Sequence, residues 1–263
     1  RKSKKKYKYP LNKKINFCKI DEISEKKINV FMISISPFNF FIIVNLMLRN
    51  FDLKGFVYLR SDGFLEYKIK YGIVGYYLYF IMFYLIKKKL KIISCSKNFN
   101  HVNTRNIVHP SELDESWLKK KRKQNRFQSD LLFVGRFKKE KGIIDIIRIF
   151  RNIRKYKLTI VGTKKEMIHQ KFYDENIKFV GPIVDPKKLI KIYDSSKIFI
   201  LPSYTEGYPK VILEALSRMI PVIIFKDIKH VIHKRSGIFV SERNEKSLEK
   251  TIEFINKNYE MIK

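Results

Sequence analysis

The chain has 263 residues, 45% of them apolar, enough to bury one large or two modest cores and too many for a disordered polymer. Its 56 Lys and Arg against 25 Asp and Glu give a formal net charge of +31, which favours anionic partners (nucleic acid, lipid head groups, phosphorylated small molecules) without choosing among them. Two cysteines, Cys18 and Cys95, exclude a disulfide framework and a cysteine metal knuckle and set cytosol as the expected compartment.

The sequence opens on Arg1 and is expected to be a piece of a longer chain. Residues 1–25 read as a solvated basic tail of poor order. From there KINVFMISIS predicts a strand and PFNFFIIVNLMLRN a helix, with Pro37 in its first turn, where proline fits. GFVYLRSD then predicts a strand, FLEYKIKYGIVGYYLYFIMFYLIKKK a helix and LKIISCS a strand, so the first half is a βαβαβ unit with a parallel sheet. Residues 28–48 are too interrupted by Asn, Ser and Pro37 to span a bilayer, and 71–86 fall short of the roughly 20 apolar residues required. The second stretch ends in Lys87, Lys88 and Lys89, a pattern open to two readings, a core helix or a helix lying on a membrane surface.

Residues 97–130 break the rhythm with His109-Pro110, the acidic SELDES and the basic KKKRKQNR, and the domain boundary is placed near Ser129. Alternation restarts with LLFVGRF (strand), KGIIDIIRIFRNI (helix), KLTIVG and IKFVG (strands), PKKLIKIYDSS (helix), KIFILPS (strand), YPKVILEALSRM (helix), PVIIF (strand) and SLEKTIEFINKN (helix). The expected class is α/β, with two Rossmann-like doubly wound domains facing across a cleft. Residues 26–128 form the N-terminal domain with its interdomain segment, and 129–263 the C-terminal domain. Ligands of such folds bind beyond the carboxyl ends of the strands.

Two stretches carry chemistry. VGRFKKEKG follows a buried strand and opens a helix; Gly135 lets the chain turn close to a ligand, the helix start at Lys141-Gly142 offers backbone N–H groups, and Arg136 and Lys141 add fixed positive charge, which together suit a diphosphate. SYTEGYPKVILE holds Glu206 before a helix and Glu214 within it, roughly 12 Å apart at 1.5 Å per residue. Glycosidase carboxylates stand about 5 to 9.5 Å apart across one bond, so a hydrolytic pair is not expected and a long ligand fits better. Asp62, before Gly63, reads either as a ligand contact or as a turn cap. His230 and His233 lack a third ligand, so no metal site is expected, and His109 has no evident partner.

In this order, VGRFKKEKG, KLTIVG, IKFVG and SYTEGYPKVILEALSRMIPVI resemble the donor-binding half of retaining glycosyltransferases of the two-domain GT-B fold, whose hallmark is two glutamates separated by seven residues. The resemblance runs over residues 131–240. It implies that Arg136 and Lys141 hold the diphosphate of a nucleoside diphosphate sugar and stabilise its departure, that Glu206 faces the transferred sugar, that Glu214 meets the ribose, and that Gly207 allows close approach beside the sugar. It also implies no cofactor or metal, and a glycan or lipid-linked acceptor in bacterial surface polysaccharide assembly, at the inner face of the cytoplasmic membrane. The N-terminal half departs from the pattern: no glycine-rich loop precedes Lys26, the strand end at residues 58–63 has no histidine, and the chain stops short of the helix that crosses back, so the N-terminal domain is expected to be incomplete. Two rivals stand beside this reading: a catalytically silent relative that still binds nucleotide sugar, and a polyanion-binding protein for RNA or DNA, for which no recognition motif is found.

Overall fold

The computed structural model describes residues 27–97, 99, 101–103, 105–109, 113–119, 127–231 and 237–262. The basic tail, Cys18, most of KKKRKQNR and His233 lie outside them. The first unit runs β1 (Lys27–Ile33), α1 (Pro37–Leu48), β2 (Asp52–Leu59), α2 (Gly63–Lys87) and β3 (Lys91–Ser94), as predicted. Its three strands are parallel and lie in sequence order, β1-β2-β3. Right-handed crossovers then place both helices on one face, and α1 packs against α2 there. Ser36 caps α1 by accepting from the Asn39 N–H at 3.3 Å, and Pro37 takes the first turn. The order never reverses, so this sheet has one wing of a doubly wound arrangement. On its other face Phe31 and Phe56 meet edge to face at 4.8 Å, both exposed.

The second unit runs β4 (Ser129–Val134), α3 (Ile143–Asn152), β5 (Leu158–Val161), β6 (Ile177–Val180), α4 (Pro186–Asp194), β7 (Ser196–Leu201), α5 (Lys210–Ser217), β8 (Val222–Phe225), β9 (Ile238–Ser241), α6 (Glu245–Lys257) and α7 (Tyr259–Ile262). All six strands are parallel, in the order β6-β5-β4-β7-β8-β9. The central strands are continuous runs of buried Leu, Ile, Val and Phe, as a sheet covered on both faces demands. Strand β9 has no counterpart in the sequence reading; its four residues are mostly half-exposed and give no alternating signal.

Each unit has its own hydrophobic core. The second core reaches upstream of Ser129. Trp117, in a 3-10 turn at Glu115–Trp117, is buried edge-to-face on Tyr193, and its carbonyl accepts from Arg218, whose guanidinium also grips Asp194 in a two-point pair. The strand order reverses on either side of β4, so the loops after β4 and β7 diverge and leave a crevice between them.

Candidate active site in the cleft

A cavity of about 590 Å³ opens at that crevice, and both units line it. From the second unit come Gly135, Arg136, Lys138, Glu140, Lys141, Thr205 and Glu206; from the first, Arg60, Ser61, Glu66, Tyr67 and Lys70. Four of the six predicted site residues, Gly135, Arg136, Lys141 and Glu206, therefore share one wall. Gly207 and Glu214 are not on it.

Gly135 directly follows β4, its N–H donating to Val161 O at 3.0 Å. Arg136 beside it is exposed and has no ion pair among the described residues. The predicted helix start at Lys141-Gly142 needs correction. The N–H groups of Lys141 and Gly142 donate to the Lys138 and Lys139 carbonyls in a 3-10 turn, and α3 begins only at Ile143. The cause is Gly142, left-handed at φ 65°, whose missing Cβ would stand 2.1 Å from Pro202 O.

Lys141 Nζ donates to Glu206 Oε1 at 2.6 Å, and Ser203 Oγ donates to the same oxygen at 2.6 Å. Both bonds use Oε1, leaving Oε2 of this cleft-lining carboxylate for a ligand. The loop carrying Glu206 is fixed from three sides. His230 Nε2 meets the Glu206 carbonyl at 2.9 Å, and the Tyr204 N–H donates to Glu140 O at 2.9 Å, tying the β7 loop to the β4 loop. Arg243 donates to the carbonyls of Pro202 (2.8 Å) and Ser203 (3.2 Å) while lying 3.8 Å from the Tyr204 ring. None of Ser203, His230 and Arg243 was picked out from sequence in this role. Each lies far along the chain from its partner or is an ordinary residue type in a basic protein.

Two buried polar atoms on the cavity wall, Glu140 Oε2 and Thr205 Oγ1, have no hydrogen-bond partner among the described residues. Such orphans are uncommon in folded proteins, and both of these belong to residues that line the cleft. Glu140 Oε1 is paired at longer range, with Lys70 of α2 at 3.6 Å and Lys138 at 3.7 Å. Among the described residues no three His, Cys, Asp or Glu side chains converge as metal ligands would.

Gly207 packs against the first unit: a Cβ there would stand 2.5 Å from Arg60 O and 2.6 Å from both Cys95 Sγ and the Phe99 ring. Beside it Tyr208 stacks on His109 at 4.8 Å, giving that histidine its partner. Asp62 is the cap of α2, accepting from the Phe64 and Leu65 N–H groups at 3.0 and 3.2 Å, and is not on the cavity wall. Glu214, half-buried on α5, accepts from the Tyr193 hydroxyl at 2.8 Å. Burial, then the Glu214 charge, pushes that hydroxyl well above its ordinary range, so it remains a donor at any working pH. Because α5 starts at Lys210, half of the interval from Glu206 to Glu214 is loop, and the straight-helix spacing applies only to the second half.

A family model described as Glycosyl transferases group 1 matches residues 115–263, beginning where Trp117 enters the second core. The amylovoran biosynthesis glycosyltransferase AmsD of Erwinia amylovora is 31% identical over 140 residues, 47% of this chain and 39% of that protein. The capsular polysaccharide biosynthesis glycosyltransferase CapM of Staphylococcus aureus is 27% identical over 135 residues, 46% of this chain and 35% of that protein. Each match thus spans less than half of the relative's length. Among solved structures, a sucrose-phosphate synthase from Thermosynechococcus elongatus superposes with a TM-score of 0.63 at 17% identity, over 90% of this chain and 66% of that one. At that identity the likeness establishes the fold, with two α/β units facing across a cleft in the GT-B manner.

Proposed function

The chain belongs to the group 1 glycosyl transferases, and from that membership we propose that it moves a sugar from a nucleoside diphosphate sugar to a glycan or lipid-linked acceptor, with retention, in bacterial surface polysaccharide assembly. The observation that carries this reading is the joining of Lys141 to Glu206 beside an exposed Arg136, at the strand-order reversal. A departing nucleoside diphosphate gains negative charge as the sugar bond breaks. Fixed cations aimed at it stabilise that charge more in the transition state than in the ground state, which is what accelerates the step. In this reading Arg136 meets the diphosphate first, and Lys141 shares its charge between the phosphates and Glu206. Glu206 Oε2 takes a hydroxyl of the transferred sugar, and Glu214, held by Tyr193, takes the ribose. No metal or cofactor is proposed, since the basic pair meets the leaving-group charge.

Thermal shift against a panel of UDP-, GDP-, ADP- and CMP-sugars tests the donor site, repeated with Arg136→Ala and Glu214→Ala. One family of nucleotides is expected to raise the midpoint of the wild type, and both variants to lose most of the gain. A wild type that no nucleotide stabilises overturns the reading. Among the described residues the first sheet has three strands, and a second reading is a relative that binds the donor without turning it over. Stabilisation without product release in a turnover assay would select it.

A further inference from the structure

We propose that Glu140 and Tyr71 form a specificity subsite at the junction of the two units, where Glu140 takes a hydroxyl of an acceptor pyranose whose ring lies on Tyr71. The inference rests on the glycosyltransferase reading and deepens it, by naming the part of the acceptor that is gripped and the two side chains that grip it.

Glu140 has one oxygen without a partner. The residue is 5% exposed, and its buried Oε2 makes no hydrogen bond among the described residues. Oε1 faces Lys70 of α2 at 3.6 Å and Lys138 at 3.7 Å, longer than a hydrogen bond from an ammonium should be. A carboxylate withdrawn from water in this state is unfavourable, and a donor brought by a ligand relieves it. The Thr205 hydroxyl, 4% exposed and also unpartnered, lines the same cavity and can give or accept a second bond.

Tyr71 supplies an open ring on the facing wall. Tyr67 and Tyr71 stand about one helical turn apart on α2, and both line the cavity. Tyr67 is packed, its ring centre 5.0 Å from that of Tyr79, whereas Tyr71 beyond it is 64% exposed. The backbone beneath the open ring is nonetheless held. Helix α2 breaks at Gly72 (φ 68°, ψ −153°), and the chain then passes so close that a Cβ on Gly75 would stand 2.7 Å from Tyr71 Cβ and 2.3 Å from Tyr67 O. A ligand lying on this ring therefore has little backbone left to order.

Lys70, the neighbour of Tyr71 in sequence, reaches towards Glu140, so ring and carboxylate belong to one junction. Its chemistry selects the ligand. Phosphate would meet the negative charges of Glu66 and Glu140, and a hydrocarbon chain would take Ser61, Glu66 and Lys70 out of water with nothing in return. A pyranose offers hydroxyls at its rim to carboxylate and lysine, and a patch of C–H bonds to the aromatic face.

The test is saturation-transfer NMR of the whole chain with methyl α- and β-pyranosides of glucose, galactose, mannose and N-acetylglucosamine, alone and with each nucleoside diphosphate of the panel above. No turnover is needed. At least one pyranoside is expected to bind through its ring protons, about fivefold or more weakly to Glu140→Gln and to Tyr71→Ala, and with wild-type strength to Tyr71→Phe, which keeps the ring. Tyr71 is exposed and Glu140→Gln conserves size, so unchanged thermal midpoints serve as the check on folding. The nucleotide-induced shift reports the donor site separately and is expected to survive these substitutions, which keeps a failure here distinct from a failure of the donor reading. The proposal is overturned if no pyranoside binds the wild type, or if either Glu140→Gln or Tyr71→Ala binds as the wild type does. It is also overturned if Glu206→Gln alone abolishes binding, since the sugar would then sit at the donor end.

Discussion

Tyr193 and Glu214 lie 21 positions apart on different helices, and the hydroxyl of one holds the carboxylate of the other. Hydrogen bonds to charged groups contribute about 1.5 to 3 kcal/mol. Tyr193→Phe keeps the buried ring and its packing on Phe199 and Trp117 but removes this hydrogen bond from the carboxylate. Its expected effect is a loss of roughly tenfold in nucleoside diphosphate affinity by calorimetry, with a small fall in thermal midpoint; an unchanged affinity would remove Glu214 from the ribose end. Glu206→Gln strips the negative partner from a largely enclosed Lys141. If Glu206 meets the transferred sugar as proposed, turnover falls by about two orders of magnitude or more while donor affinity changes little. Glu206 and Lys141 stand out in the chain because each precedes a glycine in a loop, and Glu214, within α5, stands out only by its spacing from Glu206. Their partners do not. The bond from Lys141 to Glu206 joins positions 65 apart, and the orphaned Thr205 hydroxyl has no signature beyond being a threonine in a loop.

Helix starts are where local signals worked best and also where one failed. Asp62 before Gly63 caps α2 with two backbone bonds, so Asp62→Ala is expected to cost about 1 kcal/mol, read as a lower denaturation midpoint. The sequence pattern puts the start of α3 at Lys141-Gly142, whereas the left-handed backbone of Gly142 delays it to Ile143. Gly142→Ala adds a strained φ and a clash with the Pro202 carbonyl; a loss of 1 to 3 kcal/mol is expected, with displacement of the β7 loop that carries Glu206. A variant as stable as the wild type would mean that this loop yields freely. Long strands of Val, Ile, Leu and Phe announced themselves, while β9 did not. Its place at the sheet edge is set by pairing with β8, a long-range fact that four residues cannot carry.

The two units touch through charge as well as through packing. Lys70 of α2 bonds to Glu66 on its own helix and faces Glu140 of the second unit at 3.6 Å. Burial pushes the Glu66 carboxyl up, but hydrogen bonds from Lys70 and Ser61 outweigh it, so the group titrates below its ordinary range. A depressed carboxylate contributes its full stability above the unfolded value of about 4.3 and loses it as pH falls through the folded one. The thermal midpoint of the wild type is therefore expected to drop more steeply than that of Glu66→Gln below about pH 4.3, and to run parallel to it at neutral pH. Parallel curves throughout would show that the pair is too solvated to matter. The two-unit α/β plan and its cleft were legible because strand and helix periods differ so sharply, but the residues that meet across the cleft were not, since no local pattern encodes long-range contacts. Gly207 is such a meeting point. With the Arg60 backbone, Cys95 and Phe99 all where its side chain would be, it lets the two units close onto each other at this point. Any side chain added there would have to force the two units apart beside Glu206, so the width of the cleft at this end is set by the absence of a single Cβ.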